Sequence, residues 1–192
     1  MHRKMTRERY LSDAELAAFM RAVRERRHVH QPRDYAFFAL IANAGIRPSE
    51  GMRLTRGDVH MSAAKPWVHV RRNHPRHAPQ PVQDLVIHRD VATIVRAFIA
   101  SLPDDERARK LFPFTKRQSA RLYHYYAQKA GISPPRKIYA LRHTAGKRML
   151  SATSDLRLVQ AIMGHVRLKA TSVYLDIDPA TLYHAQSALE CI

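Results

Sequence analysis

Three short segments carry side chains whose types suit chemistry on an anion: AGIRPSE (44–50), YALRHTAGKRML (139–150) and IMGHVRLKATSVYLDID (162–178). Between them they supply Arg47, Arg142, His143, His165 and Tyr174, in that order along the chain. An arginine presents a planar fork of donors that matches two oxygens of a phosphate or carboxylate at once. Histidine exchanges a proton near neutral pH, and a tyrosine phenol is among the side chains that store a bond covalently during group transfer. Each residue also has an ordinary structural reading. Arg47 can be a surface arginine near a helix start, and Arg142 and His143 can lie on the solvated face of a helix. Gly164-His165 can be a helix end at which glycine supplies the left-handed turn, and Tyr174 can be one more half-buried tyrosine. No segment decides the matter alone.

The charge balance narrows the partner. Lys plus Arg number 33 against 16 Asp plus Glu, a formal net charge of +17. Such a field favours a polyanion, nucleic acid first and an anionic membrane surface second. Of the 33, 25 are Arg and 8 are Lys, a bias that suits a DNA-backbone binder. GC-rich coding also produces Arg in place of Lys, but it does not produce the excess of positive charge. With 45% hydrophobic residues over 192 positions, the chain can build one well-packed domain. No apolar run approaches the roughly 18 residues of a membrane span. The N-terminal MHRKMTRERY lacks the apolar stretch of a signal peptide. Cys191 is the single cysteine, so no internal disulfide can form and a cytoplasmic location is expected.

The elements that must position these residues read as mainly α with a small antiparallel β-sheet (α+β). Residues 1–10 form a basic lead-in. Ser12 or Asp13 caps a first helix with an apolar face of Leu16, Phe19, Met20 and Val23. A second helix starts near Pro32-Arg33-Asp34; its segment YAFFALIANAG is apolar all round and predicts a buried core helix ending at Gly45. In IRPSEGMRL, Pro48 at the first helical position and Glu50 at the third mark another helix start. Strand-like segments follow in DVHM, WVHVRR and DLVIHR, and the last two are separated by NHPRHAPQPVQ, whose three prolines predict an exposed hairpin tip. Helical patterns resume at 90–101, 116–130, 139–151, 155–163 and 179–191.

The three segments together resemble the catalytic domain of the tyrosine recombinase (phage integrase) family. AGIRPSEGMRLTRGDV resembles its first motif, with Arg47 and Glu50 in register. ALRHTAGKRML resembles its second, with Arg142 as the arginine, and MGHVRLKATSVYLDID its third, with His165 as the histidine and Tyr174, nine residues on, as the nucleophile. The likeness spans about residues 10–178, so 11–178 is the expected catalytic domain. The resemblance implies a site-specific DNA recombinase or integrase acting on double-stranded DNA as a homo-oligomer, with no cofactor and no metal. Tyr174 would cleave a phosphodiester and hold it as a 3′-phosphotyrosyl ester, splitting one hard exchange into two easier ones. Arg47 and Arg142 would clamp the non-bridging oxygens as charge develops there. His165 would donate a hydrogen bond or handle protons, and Glu50 and His143 would buttress the site. Arg71, Arg72, Arg76 and Lys147 are the expected DNA contacts.

Three features depart from the family pattern. Three residues before Arg142 the family usually has His, sometimes Lys; Tyr139 stands here, and a phenol with a pKa of about 10 shuttles protons poorly at pH 7. The family's hairpin lysine, which protonates the leaving 5′-oxygen, has no counterpart, because no lysine lies between Lys65 and Lys110. Arginine does not release a proton in practice, so His74 is the candidate general acid, against the plainer reading that these loop residues only touch the DNA backbone. The His74–His77 spacing is a weak metal signal without further ligands. Most members also carry a separate helical domain ahead of the catalytic one. This sequence begins almost at the catalytic domain, which suits a short invertase-like member or a trimmed piece of a longer chain. A nicking–resealing topoisomerase shares the chemistry, and a catalytically weakened DNA-binding accessory or regulatory protein of the same fold is the alternative from another class. Beyond Tyr174, Asp178-Pro179 starts a helix over 179–192, with Leu182, Ala185, Leu189 and Ile192 as a narrow apolar stripe. It either completes its own core or docks on a neighbouring protomer.

Overall fold

The computed structural model describes residues 9–62, 64–72, 82–102, 109–134 and 136–165. The expected second, buried helix is the hub of these residues. It spans α2 (Gln31–Ala44), and Ala36, Phe37, Phe38, Ala39, Leu40, Ile41, Ala42 and Ala44 are all buried along it. A helix without a polar face needs neighbours on every side, and α1 (Asp13–Arg24), α4 (Arg89–Ala100) and α6 (Tyr139–Thr153) all pack on it. At one end of α2 the buried Asp34 is satisfied by Arg26 at 3.5 Å, Arg33 at 2.8 Å and the hydroxyl of Tyr126, which donates to it at 2.8 Å. At the other end Gly45, at φ 63°, closes the helix in the left-handed conformation.

Local chemistry sets the remaining boundaries. Ser12 caps α1 in a reciprocal box with Glu15: the Glu15 N–H donates to the Ser12 hydroxyl at 3.1 Å, and the Ser12 N–H to the Glu15 carboxylate at 2.7 Å. Thr115 and Gln118 do the same for α5 (Lys116–Lys129), and Asp155 caps α7 (Leu156–Met163). α1 and α5 enclose an aromatic cluster in which Phe19 meets Phe38 and Tyr123 at 5.2 Å between ring centroids. Each such fully buried ring contributes roughly 1.5–3 kcal/mol relative to exposure.

After the short α3 (Pro48–Gly51), a 3-10 turn (Arg56–Asp58) leads into an antiparallel sheet of order β1 (Val59–His60), β2 (Trp67–Arg71) and β3 (Val82–Val86). Val68 and Val70 face the core, while Arg71 points outward. Two strand expectations need correction. The first strand is only two residues long, because Asp58 is held in the 3-10 turn by accepting from the Thr55 N–H at 2.8 Å. The third begins at Val82 rather than Asp84, because Val82 and Gln83, read from sequence as loop, pair with Arg71 and Val70. His74, Arg76, His77, Tyr174 and the helix expected over 179–192 lie outside the described residues.

Candidate active site

Arg47, Glu50, Arg142, His143 and His165 come from three separate stretches of sequence and meet where α2, α3, α6 and α7 converge. Two glycines permit the approach. A Cβ on Gly45 would lie 2.6 Å from the Met163 sulfur and 3.5 Å from the Ala145 Cβ. A Cβ on Gly164, which ends α7 at φ 62°, would lie 2.8 Å from Nε of Arg72. Both positions combine a left-handed backbone with no room for a side chain.

Glu50 is the centre of the cluster. Its fully buried carboxylate accepts from the Arg47 backbone N–H at 2.7 Å, from Arg47 Nη1 at 2.7 Å and from Arg72 Nη1 at 3.1 Å, and it lies 3.8 Å from Arg142 Nη1. Burial pushes its pKa up, but the Arg47 N–H and the guanidinium groups of Arg72 and Arg47 outweigh that and hold it below the usual carboxylate range. Three guanidinium groups around one carboxylate leave a local excess of two positive charges. Arg142, 3% exposed, donates from Nη1 to the Gly45 carbonyl at 2.5 Å and from Nη2 to the Met163 carbonyl at 2.7 Å, which fixes its plane against the ends of α2 and α7. Arg47 is the more accessible of the two expected clamps, its side chain 22% exposed at the start of α3.

The two histidines feel this charge. Burial, then Arg142, Arg47, His143 and Arg72, push the His165 pKa down to about 4. Burial, then Arg142 and Arg9, push His143 down to about 4. Both imidazoles are therefore neutral at pH 7 in the free protein. A neutral imidazole still donates one hydrogen bond, and an incoming phosphate would raise its proton affinity by opposing the arginine field. His165 is pinned through its backbone: its N–H donates to the Gln160 carbonyl at 3.1 Å, and its carbonyl accepts from Gln160 Nε2 at 3.0 Å.

The other sequence-predicted residues are spread out. Tyr139 opens α6 and is 43% exposed. Lys147 donates to the Tyr10 hydroxyl at 2.7 Å, its ammonium 4.0 Å from that ring's centroid. Arg71 is outward-facing but bonded twice to Asp58, both at 2.8 Å. Arg72, expected as a DNA contact, is 4% exposed and turned inward. Its donors face Glu50, Gln83 and the Ile162 carbonyl. This geometry corrects the expectation of Arg72 as a DNA contact: the side chain is buried and its donors face protein partners. Gln83 was missed altogether; the sequence signal that could have found it is the β alternation of VQDLV, obscured by the prolines before it. A separate basic cleft of about 620 Å³, lined by Arg26, His30, Arg33, Phe114, Arg121 and Tyr125, opens at the far end of α2.

The model of the Phage integrase family matches residues 9–181. Among curated proteins, the tyrosine recombinase XerC of Rhodospirillum centenum is 29% identical over 153 residues, 76% of this chain and 43% of the relative. That of Salmonella typhi is 28% identical over 153 residues, with 49% of the relative covered. The chain thus spans about half the length of the curated relatives it matches. Among solved structures, the XerH site-specific recombinase bound to difH substrate superposes with a TM-score of 0.78 at 17% identity, over 98% of this chain and 56% of that one. The catalytic domain of bacteriophage HP1 integrase does so at 0.67 and 17% identity, over 93% of this chain and 94% of that one.

Proposed function

The chain belongs to the phage integrase family, and from that premise we propose that it is the catalytic domain of a site-specific DNA recombinase. The observation that carries the reading is the convergence of Arg47, Arg142 and His165 around Glu50 from sequence positions up to 118 apart. A structural role for one such arginine is commonplace. Two arginines paired with one buried carboxylate, and a histidine within their field, make a site with surplus positive charge, suited to a phosphodiester.

In the proposed reaction, the Tyr174 hydroxyl gives up its proton to water as its oxygen attacks the scissile phosphorus of duplex DNA. The phosphorus–O5′ bond breaks, the 5′-oxygen leaves and takes up a proton, and the phosphate stays on the tyrosine as a 3′-phosphotyrosyl ester. Attack by a 5′-hydroxyl of the exchanging strand reverses the chemistry and frees the phenol, so no external energy source is consumed. Arg47 and Arg142 stabilise the charge that grows on the non-bridging oxygens. The neutral His165 donates a further hydrogen bond there. Glu50 and His143 hold the arginines and the histidine in place, and Lys147 and Arg71 extend the positive surface toward the DNA backbone. Arg76 joins them as a proposed backbone contact. The 5′-oxygen needs a proton donor; His74 is the proposed one, and Tyr139 is a hydrogen-bond donor to phosphate rather than a proton shuttle. Assembly as a homo-oligomer on DNA completes the proposal.

The test is incubation with a nicked duplex carrying the cognate site, followed by a denaturing gel. A protein–DNA adduct resistant to denaturation supports the reading, and DNA binding without any adduct favours the accessory-protein alternative.

A further inference from the structure

The last three residues of α7 offer their carbonyls to three different elements. The Ala161 carbonyl accepts from Gln83 Nε2 of β3 at 2.9 Å, the Ile162 carbonyl from Arg72 Nη2 at the end of β2, and the Met163 carbonyl from Arg142 Nη2 of α6 at 2.7 Å. The final carbonyls of a helix have no partners within it and carry the negative end of its dipole, so two cations there are complementary. Of these donors Arg72 has the widest reach. Its Nε and Nη2 both donate to Gln83 Oε1, at 2.9 and 2.8 Å, while Nη1 donates to Glu50 Oε2 at 3.1 Å. Its side chain occupies the space where a Cβ of Gly164 would lie. One buried guanidinium therefore touches the stem of the β2–β3 hairpin, the carboxylate that holds Arg47, and the helix end from which His165 emerges.

We infer that Arg72 is a positioning residue: it locks the hairpin stem and the Glu50–Arg47 pair against the end of α7, so that Arg47 and His165 face one phosphate in fixed register. The inference rests on the proposed phosphoryl-transfer function. It gives Arg72 an internal part, since Nε, Nη1 and Nη2 all donate within the protein. Gln83 is its partner in the same link, bracketed between Arg72 and the Ala161 carbonyl.

The test compares Arg72→Ala, Gln83→Ala and the double variant in two measurements, affinity for the DNA site and the single-turnover rate of adduct formation at saturating DNA. Both single variants should keep their affinity yet form adduct roughly tenfold to a hundredfold more slowly, the loss expected when reacting groups shift by about an ångström. The double variant should be no slower than Arg72→Ala, because both substitutions cut one link. Weakened affinity with a normal rate at saturation would make Arg72 a DNA contact and overturn the inference, as would unchanged or multiplicative rates. If Arg72→Ala does not fold, the half-exposed Gln83→Ala carries the test. If the wild-type chain forms no adduct, the proposed function fails separately. The link is then read from the imidazole resonances of His165, which must move in Gln83→Ala and stay in place in Arg121→Ala at the far end of α2; unmoved resonances in Gln83→Ala overturn it.

Discussion

Glu50 keeps its charge in the interior because the Arg47 N–H and the guanidinium groups of Arg72 and Arg47 surround it, and its carboxylate in turn offsets the repulsion among Arg47, Arg72 and Arg142. Glu50→Gln removes the shared counter-charge and should destabilise the domain by about 3–5 kcal/mol, the usual cost of stranding buried charge; urea unfolding measures it. Arg47→Ala and Arg142→Ala loosen the same charge cluster and, on the proposed function, also act on the reaction. Each removes a pre-placed donor, worth roughly 2.7–4 kcal/mol of transition-state stabilisation, and should slow adduct formation a hundredfold or more. The histidines add a pH signature. Folded His143 and His165 titrate at about 4, below the ordinary histidine value of 6.5, so the unfolded chain binds protons first as pH falls. Their contribution to stability is fully present above pH 6.5 and is lost as pH drops from 6.5 toward 4. The slope of unfolding free energy over that window should flatten in His165→Gln; an unchanged slope would mean that the imidazole is not buried against the arginines. Residue identity and order made Arg47, Glu50, Arg142 and His165 legible in the sequence. The inward turn of Arg72 was not, because Arg71 closes β2 and Arg72 lies just past its end, where tertiary packing rather than sequence decides which way the side chain turns.

At the scale of elements, periodicity and caps carried most of the fold. The all-round apolar run of α2, a cap at Ser12 or Asp13, the Pro48 start of α3 and the Gly45 and Gly164 helix ends are local signals, and the structure reproduces them, with Ser12 as the cap, because local interactions decide each one. The start of β3 was misplaced because pairing with β2, a non-local interaction, recruits Val82 and Gln83. Gly45 is the element-level weak point, since α2, α6 and α7 all crowd it. Gly45→Ala should cost at least about 1–2 kcal/mol from the left-handed backbone alone, with contact against Met163 in addition. A thermal melt indistinguishable from wild type would contradict the packing described. The hairpin carries a chemical prediction. If His74 protonates the leaving oxygen, His74→Ala should be slow on ordinary DNA and near normal on a substrate with a 5′-bridging sulfur, whose thiolate leaves without a proton. Equal defects on both would leave His74 a binding residue.

For the whole molecule, the +17 net charge has to act through counterion release. DNA affinity should fall steeply between about 50 and 200 mM salt, and a flat response would contradict a backbone-dominated interface. We propose that the segment after Tyr174 docks on a neighbouring protomer. Deleting residues 179–192 should leave DNA binding by single protomers intact while abolishing cooperative complexes and strand exchange, and Leu189→Asp should match the deletion. A truncated chain that melts at low temperature as a monomer would place that segment in its own core. We propose that the arginine–histidine cluster serves a tyrosine nucleophile. Tyr174→Phe removes one oxygen and should leave the cluster and its DNA affinity unchanged. On a nicked cognate duplex, the wild-type chain should give a covalent adduct on a denaturing gel, and Tyr174→Phe should bind the same duplex equally well and give none. An adduct at full yield in Tyr174→Phe would contradict the account.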